Sequence, residues 1–193
     1  AVFDPKKNKL FAEGEAIRWV AYNAEGECVG RIAAFYDKTH AYGYEQPTGG
    51  CGFFEAINDQ ELANMLFDAA REWLKARGME AMDGPINFGS RDAWWGLLVE
   101  GYDHLAPMAS LYNYPYYVRH MEAYGLMKEN DWIEMQIYPP QELPERFARM
   151  SKIVETRYHV RVDKVKNCKE LVEKYGTSYM DVIDVAYQKL YNF

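Results

Sequence analysis

The fold is decided by residues 49–92, which read GGCGFFEAINDQELANMLFDAAREWLKARGMEAMDGPINFGSRD. Residues 51–57 predict a strand that follows a run of glycines, and residues 79–82 predict a second strand that stops at Gly84-Pro85. Between them lies the pattern of one helix. A strand, a helix and a strand in quick succession indicate a βαβ crossover with the two strands side by side.

The helix between these strands carries the strongest local signals. Asn58 is predicted as its N-cap, because Glu61 stands three residues further on and completes a capping box. Gly78 follows the last turn and suits the left-handed conformation that ends many helices. The apolar residues between these ends recur at helical spacing and predict one buried stripe, consisting of Leu62, Met65, Leu66, Ala69, Trp73 and Leu74.

Composition limits the class of protein. The 193 residues, 49% of them hydrophobic, suffice for one sizeable domain, or for one domain and a fragment of a second. A net charge of −7 argues against nucleic acid or an anionic membrane as the main partner. The three cysteines show neither metal-ligand spacing nor a disulfide framework, so we expect no metal and a reducing, cytoplasmic compartment. No apolar run reaches membrane-spanning length, and the first ten residues do not resemble a signal peptide.

The remaining segments predict more strands before the helix and more helices after it. Residues 15–22 and 28–36 alternate as a β-hairpin, and residues 37–50 are a loop by composition. Downstream, we expect a helix over 116–124 and a strand over 131–138. Beyond Pro140 the pattern predicts helices over 141–158, 167–175 and 178–191, with a strand over 159–165. The last helix has no stop signal, which favours a fragment of a longer protein.

Several of these segments resemble the GNAT acyl-CoA N-acyltransferase fold. They are VGRIAAFYD at 29–37, GGCGFFEAI at 49–57, the capped helix, and YYVRHMEAYGL at 116–126. The resemblance covers residues 10–138. It implies an α/β fold, with α+β as the alternative: a mixed, largely antiparallel sheet with a central parallel pair and flanking helices. Residues 1–140 are then the GNAT-like domain, and 141–193 a helical tail, with the start of a second GNAT-like half as an alternative.

The resemblance also implies a cofactor position. GNAT enzymes bind the pyrophosphate of coenzyme A on N–H groups at the start of the helix after the fourth strand, a common helix-terminus anion site. Acetyl-CoA or another acyl-CoA is therefore the expected co-substrate, held by Ile57, Asn58, Asp59, Gln60 and Glu61. Like unit charges ~4 Å apart repel by about 4 kcal/mol at an effective dielectric near 20, so the two carboxylates here oppose a pyrophosphate. The alternative is a GNAT-like domain without coenzyme A binding, acting as a ligand-binding or interaction scaffold.

The same resemblance implies catalytic residues, whereas candidate substrate-binding residues follow from the position and composition of a loop. Glu55 is the expected base for the acceptor, the amine of a small molecule or peptide, and Tyr116 or Tyr117 the expected acid for the departing thiolate. The alternative for Glu55 is a carboxylate on the outward face of a strand, and the alternative for the two tyrosines is aromatic packing. The loop over 84–89, with Asn87, either lines a pocket or is a structural turn, and Arg91 binds either Asp92 or a polar ligand. Trp94 and Trp95 either wall an apolar pocket or cover a sheet face. The four histidines show no ligand spacing.

Overall fold

The computed structural model describes residues 2–43, 45–89, 94–135, 144–160 and 162–187. They belong to two compact units, which divide between Glu129 and Asn130. The predicted substrate residue Arg91 lies outside the described residues.

A mixed sheet forms the centre of the first unit. Its described strands lie in the order β1 (Gly14–Tyr22), β2 (Cys28–Asp37), β3 (Thr48–Ala56) and β4 (Ala81–Asp83). The first three are antiparallel, and β3 and β4 are parallel. The predicted hairpin and the parallel pair are thus confirmed, and the fold class is the expected mixed α/β arrangement, a largely antiparallel sheet with flanking helices.

Helices flank this sheet. In the first unit the described helices are α1 (Lys38–Ala41), α2 (Gln60–Lys75), α3 (Tyr116–Tyr124) and a short 3-10 helix at Lys9–Ala12. The α3 bounds agree with the prediction for 116–124. The helix α1 lies in a stretch predicted as loop, because its single turn is too short to show a periodic pattern.

The helix α2 packs on one face of the sheet, but its predicted details need two corrections. Its N-cap is Asp59 and not Asn58, since Asp59 Oδ1 accepts from the backbone N–H groups of Glu61 (2.9 Å) and Leu62 (3.1 Å). The predicted apolar stripe is wrong at Met65, whose exposed fraction is 62%. The buried face is instead Leu62, Ala63, Leu66, Phe67, Ala70 and Leu74. As predicted, Gly78 has a left-handed φ, of 82°.

Each face of the sheet has its own apolar core. On the first face, Phe67 of α2 stacks on Phe54 of β3 with a ring-centroid distance of 4.7 Å, and Tyr117 of α3 contacts the same ring. On the second face, Phe35 and Phe88 pack together and are covered by residues that precede β1. The sheet is therefore buried on both faces over part of its length.

An extra residue interrupts the pairing of β2 with β3. Arg31 is opposite Glu55 and Ala33 is opposite Gly52, so the β3 segment between these pairs is one residue longer. This is a β-bulge, and Phe53 within it has a left-handed φ of 53°. The bulge reverses the alternation of side chains along the strand.

The second unit, described by itself, contains two helices, α4 (Glu145–Tyr158) and α5 (Cys168–Tyr187). The two helices predicted over 167–191 are one helix as far as residue 187, because Gly176 is accommodated within it at a modest cost in helix propensity. The strands predicted over 131–138 and 159–165 are wrong for their described residues. Alternation alone does not make a strand, and the described residues of this unit include none that could serve as a partner. Residues 136–138 and 161 lie outside the described residues.

A hydrogen bond between α3 and α2 gives the stability of this fold a pH dependence. The Tyr124 hydroxyl donates to Asp68 Oδ1 at 2.9 Å. Burial, together with this bond, raises the pKa of Tyr124 to about 12. The unfolded chain therefore loses this proton first, and stability that is present below pH 10 is lost as pH rises toward 12.

We expect the free energy of unfolding, measured with urea between pH 8 and pH 11.5, to fall less in Tyr124→Phe than in the parent. An equal fall in both proteins would contradict this assignment.

Candidate functional site

The start of α2, the predicted cofactor position, is closed by side chains. Asp59 occupies two of the N–H groups that an anion would need. The Gln60 amide donates to Asn64 and to the backbone carbonyl of His120, and its Oε1 lies 2.8 Å from His120 Nδ1. Arg119 donates to Asn58 Oδ1 at 2.7 Å. The first turn of α2 is therefore held against α3.

These residues do not fit the pyrophosphate of an acyl-CoA. A carboxylate already complements the N–H groups of the turn, and the exposed Glu61 adds a second negative charge. The Ile57 N–H donates to the Val29 carbonyl of β2, so it is also occupied. The turn contains no glycine that would let a phosphate approach the backbone closely.

Two tyrosines of α3 occupy the free edge of β3. β4 pairs with β3 at Thr48–Gly50 and not at the other end of β3. There the backbone N–H and C=O groups of Ala56 point away from β2. The Tyr116 hydroxyl donates to the Ala56 carbonyl at 2.9 Å, and the Ala56 N–H donates to the Tyr117 hydroxyl at 3.1 Å. Burial raises the pKa of both tyrosines. Each predicted acid thus has its hydroxyl bound to backbone.

The predicted base Glu55 lies at the same end of β3. Its side chain is exposed and pairs with Arg31 Nη2 at 2.7 Å. The structure therefore brings the three predicted catalytic residues, Glu55, Tyr116 and Tyr117, to adjacent positions around Ala56. Their described contacts are an exposed ion pair and two backbone hydrogen bonds, which are sufficient to explain these side chains structurally.

A small pocket with an apolar lining and several polar side chains lies at the opposite end of β3. Its cavity volume is about 50 Å³. It is bounded by the end of β2, α1, the start of β3, the end of β4 and the following loop, and its polar or aromatic lining includes Asp37, His40, Asp83, Asn87 and Trp95. Two predicted substrate residues, Asn87 and Trp95, therefore line one cavity. Trp94 does not line it and is about half exposed.

An aspartate–histidine pair forms one wall of this pocket. Asp37 is buried, and its carboxylate accepts from the His40 backbone N–H at 3.0 Å. The same carboxylate oxygens lie 2.7 and 2.8 Å from His40 Nδ1. The His40 side chain keeps an exposed fraction of 43%. Sequence reasoning missed this pair, although an aspartate at the end of a strand with a histidine three residues later was a local signal for it.

Asn87, which lines the same pocket, carries a buried acceptor that is unsatisfied. The side chain is 9% exposed, and its Oδ1 is buried with no hydrogen-bond partner among the described residues. A buried acceptor without a donor costs about 1–3 kcal/mol, so such an atom favours a ligand that brings a donor.

The pocket and the predicted catalytic cluster are distinct. Gly50, which lines the pocket, and Glu55 are five residues apart along β3, roughly 17 Å at the rise of an extended strand. One small ligand cannot contact both places. Among the described residues, no group of three or more His, Cys, Asp or Glu side chains is arranged to hold a metal ion. In the same part of the chain, no helix is both long and apolar enough to span a membrane.

Comparisons with known proteins identify two curated relatives. The chain is 39% identical over 114 residues to Protein YghO of Escherichia coli strain K12, a match that covers 58% of this chain and 28% of that protein. It is 33% identical over 154 residues to the Bacterial ceramide synthase of Caulobacter vibrioides, covering 77% of this chain and 38% of that protein. The chain thus spans only about a third of the length of these relatives. No family model matches it.

One solved structure shows a distant likeness. It is described as "Putative acetyl transferase from Pyrococcus furiosus", with a TM-score of 0.40 and 17% sequence identity, over 67% of this chain and 70% of that chain. A likeness at this level decides nothing about the fold, which rests on the strand order and pairing given above.

Proposed function

We propose that the whole protein is an N-acyltransferase that joins an acyl group to the amino group of a long-chain amine. The observation that carries the proposal is the 33% identity to a bacterial ceramide synthase over 77% of this chain. A ceramide is the amide of a fatty acid and a long-chain amino alcohol. The proposed reaction class is therefore amide-bond formation. The acceptor, expected from the sequence to be the amine of a small molecule or peptide, is proposed to be a lipid-like amino alcohol.

Within that enzyme, the domain described here is the part that does not hold coenzyme A. This second element of the proposal is supported by the start of α2, where Asp59 already occupies the N–H groups and α3 packs against the turn. We propose that the acyl donor binds elsewhere in the whole protein. The alternative role of this domain, as a ligand-binding scaffold, then becomes its role within the enzyme.

Two measurements test the proposal. First, the protein at the full length of its relatives, incubated with long-chain acyl-CoA and a long-chain amino alcohol, is expected to form the amide, which mass spectrometry detects. Second, millimolar acetyl-CoA is expected to leave the melting temperature of the 193-residue chain unchanged, because this chain does not bind it. A ligand that did bind, at 100 times its Kd, would add about 2.7 kcal/mol to the free energy of unfolding and raise the melting temperature. Asp59→Asn, which keeps an N-capping side chain and removes the charge, is the matched variant.

The outcomes separate the two parts of the proposal. Failure to form amide with acyl chains from two to eighteen carbons would overturn the enzyme assignment. A rise in the melting temperature of the parent chain with acetyl-CoA would overturn the assignment of the donor site to another part of the protein. A rise confined to Asp59→Asn would identify the carboxylate as the group that excludes the donor.

A further inference from the structure

We propose that the pocket lined by Asp37, His40 and Asn87 binds the primary ammonium group of the amine substrate, and that His40 Nε2 accepts a proton from it. The inference rests on the proposed function and adds to it the place and the base for the amine. Its basis is the convergence of a fixed histidine, an unsatisfied buried acceptor and a carboxylate-lined cavity at one end of β3.

The hydrogen bonding of His40 leaves one ring nitrogen available. The Asp37 carboxylate only accepts hydrogen bonds, so Nδ1 carries the hydrogen that it shares with this carboxylate. The lone pair of the neutral ring is then on Nε2, and the hydrogen bonds of His40 among the described residues involve its backbone N–H and Nδ1. The Asp37 carboxylate also fixes the orientation of the ring. This is the arrangement that a general base requires.

The remaining lining matches an ammonium group in charge and in donors. The buried Asp37 is acidic, and the described lining includes neither lysine nor arginine. An ammonium group has three N–H donors, and Asn87 Oδ1 is a buried acceptor that lacks a donor. Trp95 also lines the cavity.

The size of the cavity restricts what enters it. One water molecule needs about 10–15 Å³ of cavity volume. A cavity of about 50 Å³ therefore accommodates only a few heavy atoms. An amino-alcohol headgroup fits, whereas an acyl-CoA does not. The long chain of the amine must therefore remain outside the cavity.

The proton transfer is a simple exchange. One N–H bond of the ammonium group breaks, and its electron pair stays on nitrogen as the lone pair of a nucleophilic amine. The proton forms a bond to His40 Nε2, and the ring becomes an imidazolium that faces Asp37. No oxidant, reductant or metal takes part.

The binding experiment uses the headgroup alone. We would titrate the 193-residue chain, labelled with ¹⁵N in its histidines, with 2-amino-1,3-propanediol at pH 7 and observe the ring nitrogen signals by NMR. Glycerol, in which a hydroxyl replaces the amino group, is the uncharged control. We expect saturable shifts of the His40 signals with the amine, and at least tenfold weaker binding of glycerol.

Three variants test the roles of the residues. His40→Gln is expected to weaken amine binding at least tenfold. Asp37→Asn keeps the N-cap of α1 and is expected to change the Nδ1–Nε2 tautomer ratio of His40, which tests whether this carboxylate fixes the tautomer. His104→Gln, on an exposed histidine, is the control and should bind within twofold of the parent. In the whole protein, His40→Gln should reduce kcat for amide formation about 100-fold or more, the usual contribution of a general base.

Each result supports or overturns a defined part. Equal binding of glycerol, or unchanged binding in His40→Gln, would overturn the amine site. Unchanged kcat in His40→Gln would overturn the proton transfer. Amine binding without amide formation by the whole protein would overturn the proposed function and leave the amine site in place. Amide formation without amine binding in this pocket would overturn the amine site and leave the proposed function in place.

Discussion

Replacing Phe67 by alanine is expected to lower the free energy of unfolding by about 3–5 kcal/mol. The Phe67 side chain is fully buried, stacks on Phe54 and lies 5.0 Å from the Tyr124 ring, measured between centroids. Its removal loses apolar burial, leaves a cavity between α2, β3 and α3, and eliminates two aromatic contacts. Urea denaturation followed by circular dichroism measures the loss.

The matched control lies on the same helix. Met65 is two residues earlier, and its side chain faces solvent. We expect Met65→Ala to change the free energy of unfolding by less than about 0.5 kcal/mol. If the two substitutions had similar effects, the packing of α2 on the sheet would be assigned to the wrong side of the helix.

The second large effect is expected at Gly52, where β3 and the loop after β4 come together. A Cβ at this position would lie 1.9 Å from the Ile86 carbonyl oxygen and 3.0 Å from its carbonyl carbon. These are backbone atoms, and the Ile86 N–H is bound to the Cys51 carbonyl at 2.9 Å, so no side-chain rotation relieves the clash. We expect Gly52→Ala to cost about 3 kcal/mol, at the upper end of the usual range for overpacking.

Gly52→Ala should also displace the loop that carries Asn87. The pocket would then change shape, and the amine titration described above should weaken in this variant. Gly89→Ala is the control for stability in the same loop, because a Cβ there meets its nearest atom, Asn87 Nδ2, at 3.5 Å, an ordinary contact. Full stability of Gly52→Ala would show that the loop does not lie against β3 as described.

The parts of the fold that were predictable from sequence are those set by local patterns. The hairpin, the α2 segment and the βαβ order follow from alternation, helical spacing and glycine positions. The N-cap of α2 was not predictable to the residue, because Asn58 and Asp59 are both good capping residues. Arg119, which lies 61 residues away in sequence, binds Asn58 and leaves Asp59 to cap the helix.

The candidate site depended still more on long-range structure. In an uninterrupted strand, Glu55 would face the same side as the buried Cys51, but the bulge at Phe53 turns it to the other face beside Arg31. The pocket is lined by residues from Leu10 to Trp95, so no single stretch of sequence contains it. Asn87 was found because it follows a predicted strand end, and Trp95 because it belongs to an aromatic segment. His40 was missed because its helix is only one turn long.

The hydroxyl contacts of Tyr116 and Tyr117 with Ala56 also have a consequence for self-association. A strand edge with free N–H and C=O groups is a template on which another chain can add a strand, and soluble proteins protect such edges. Here the two phenol groups occupy the donor and the acceptor of Ala56, where β4 no longer pairs with β3. Side chains of α3 thus make this end of the sheet unsuitable for edge-to-edge aggregation, without an additional strand.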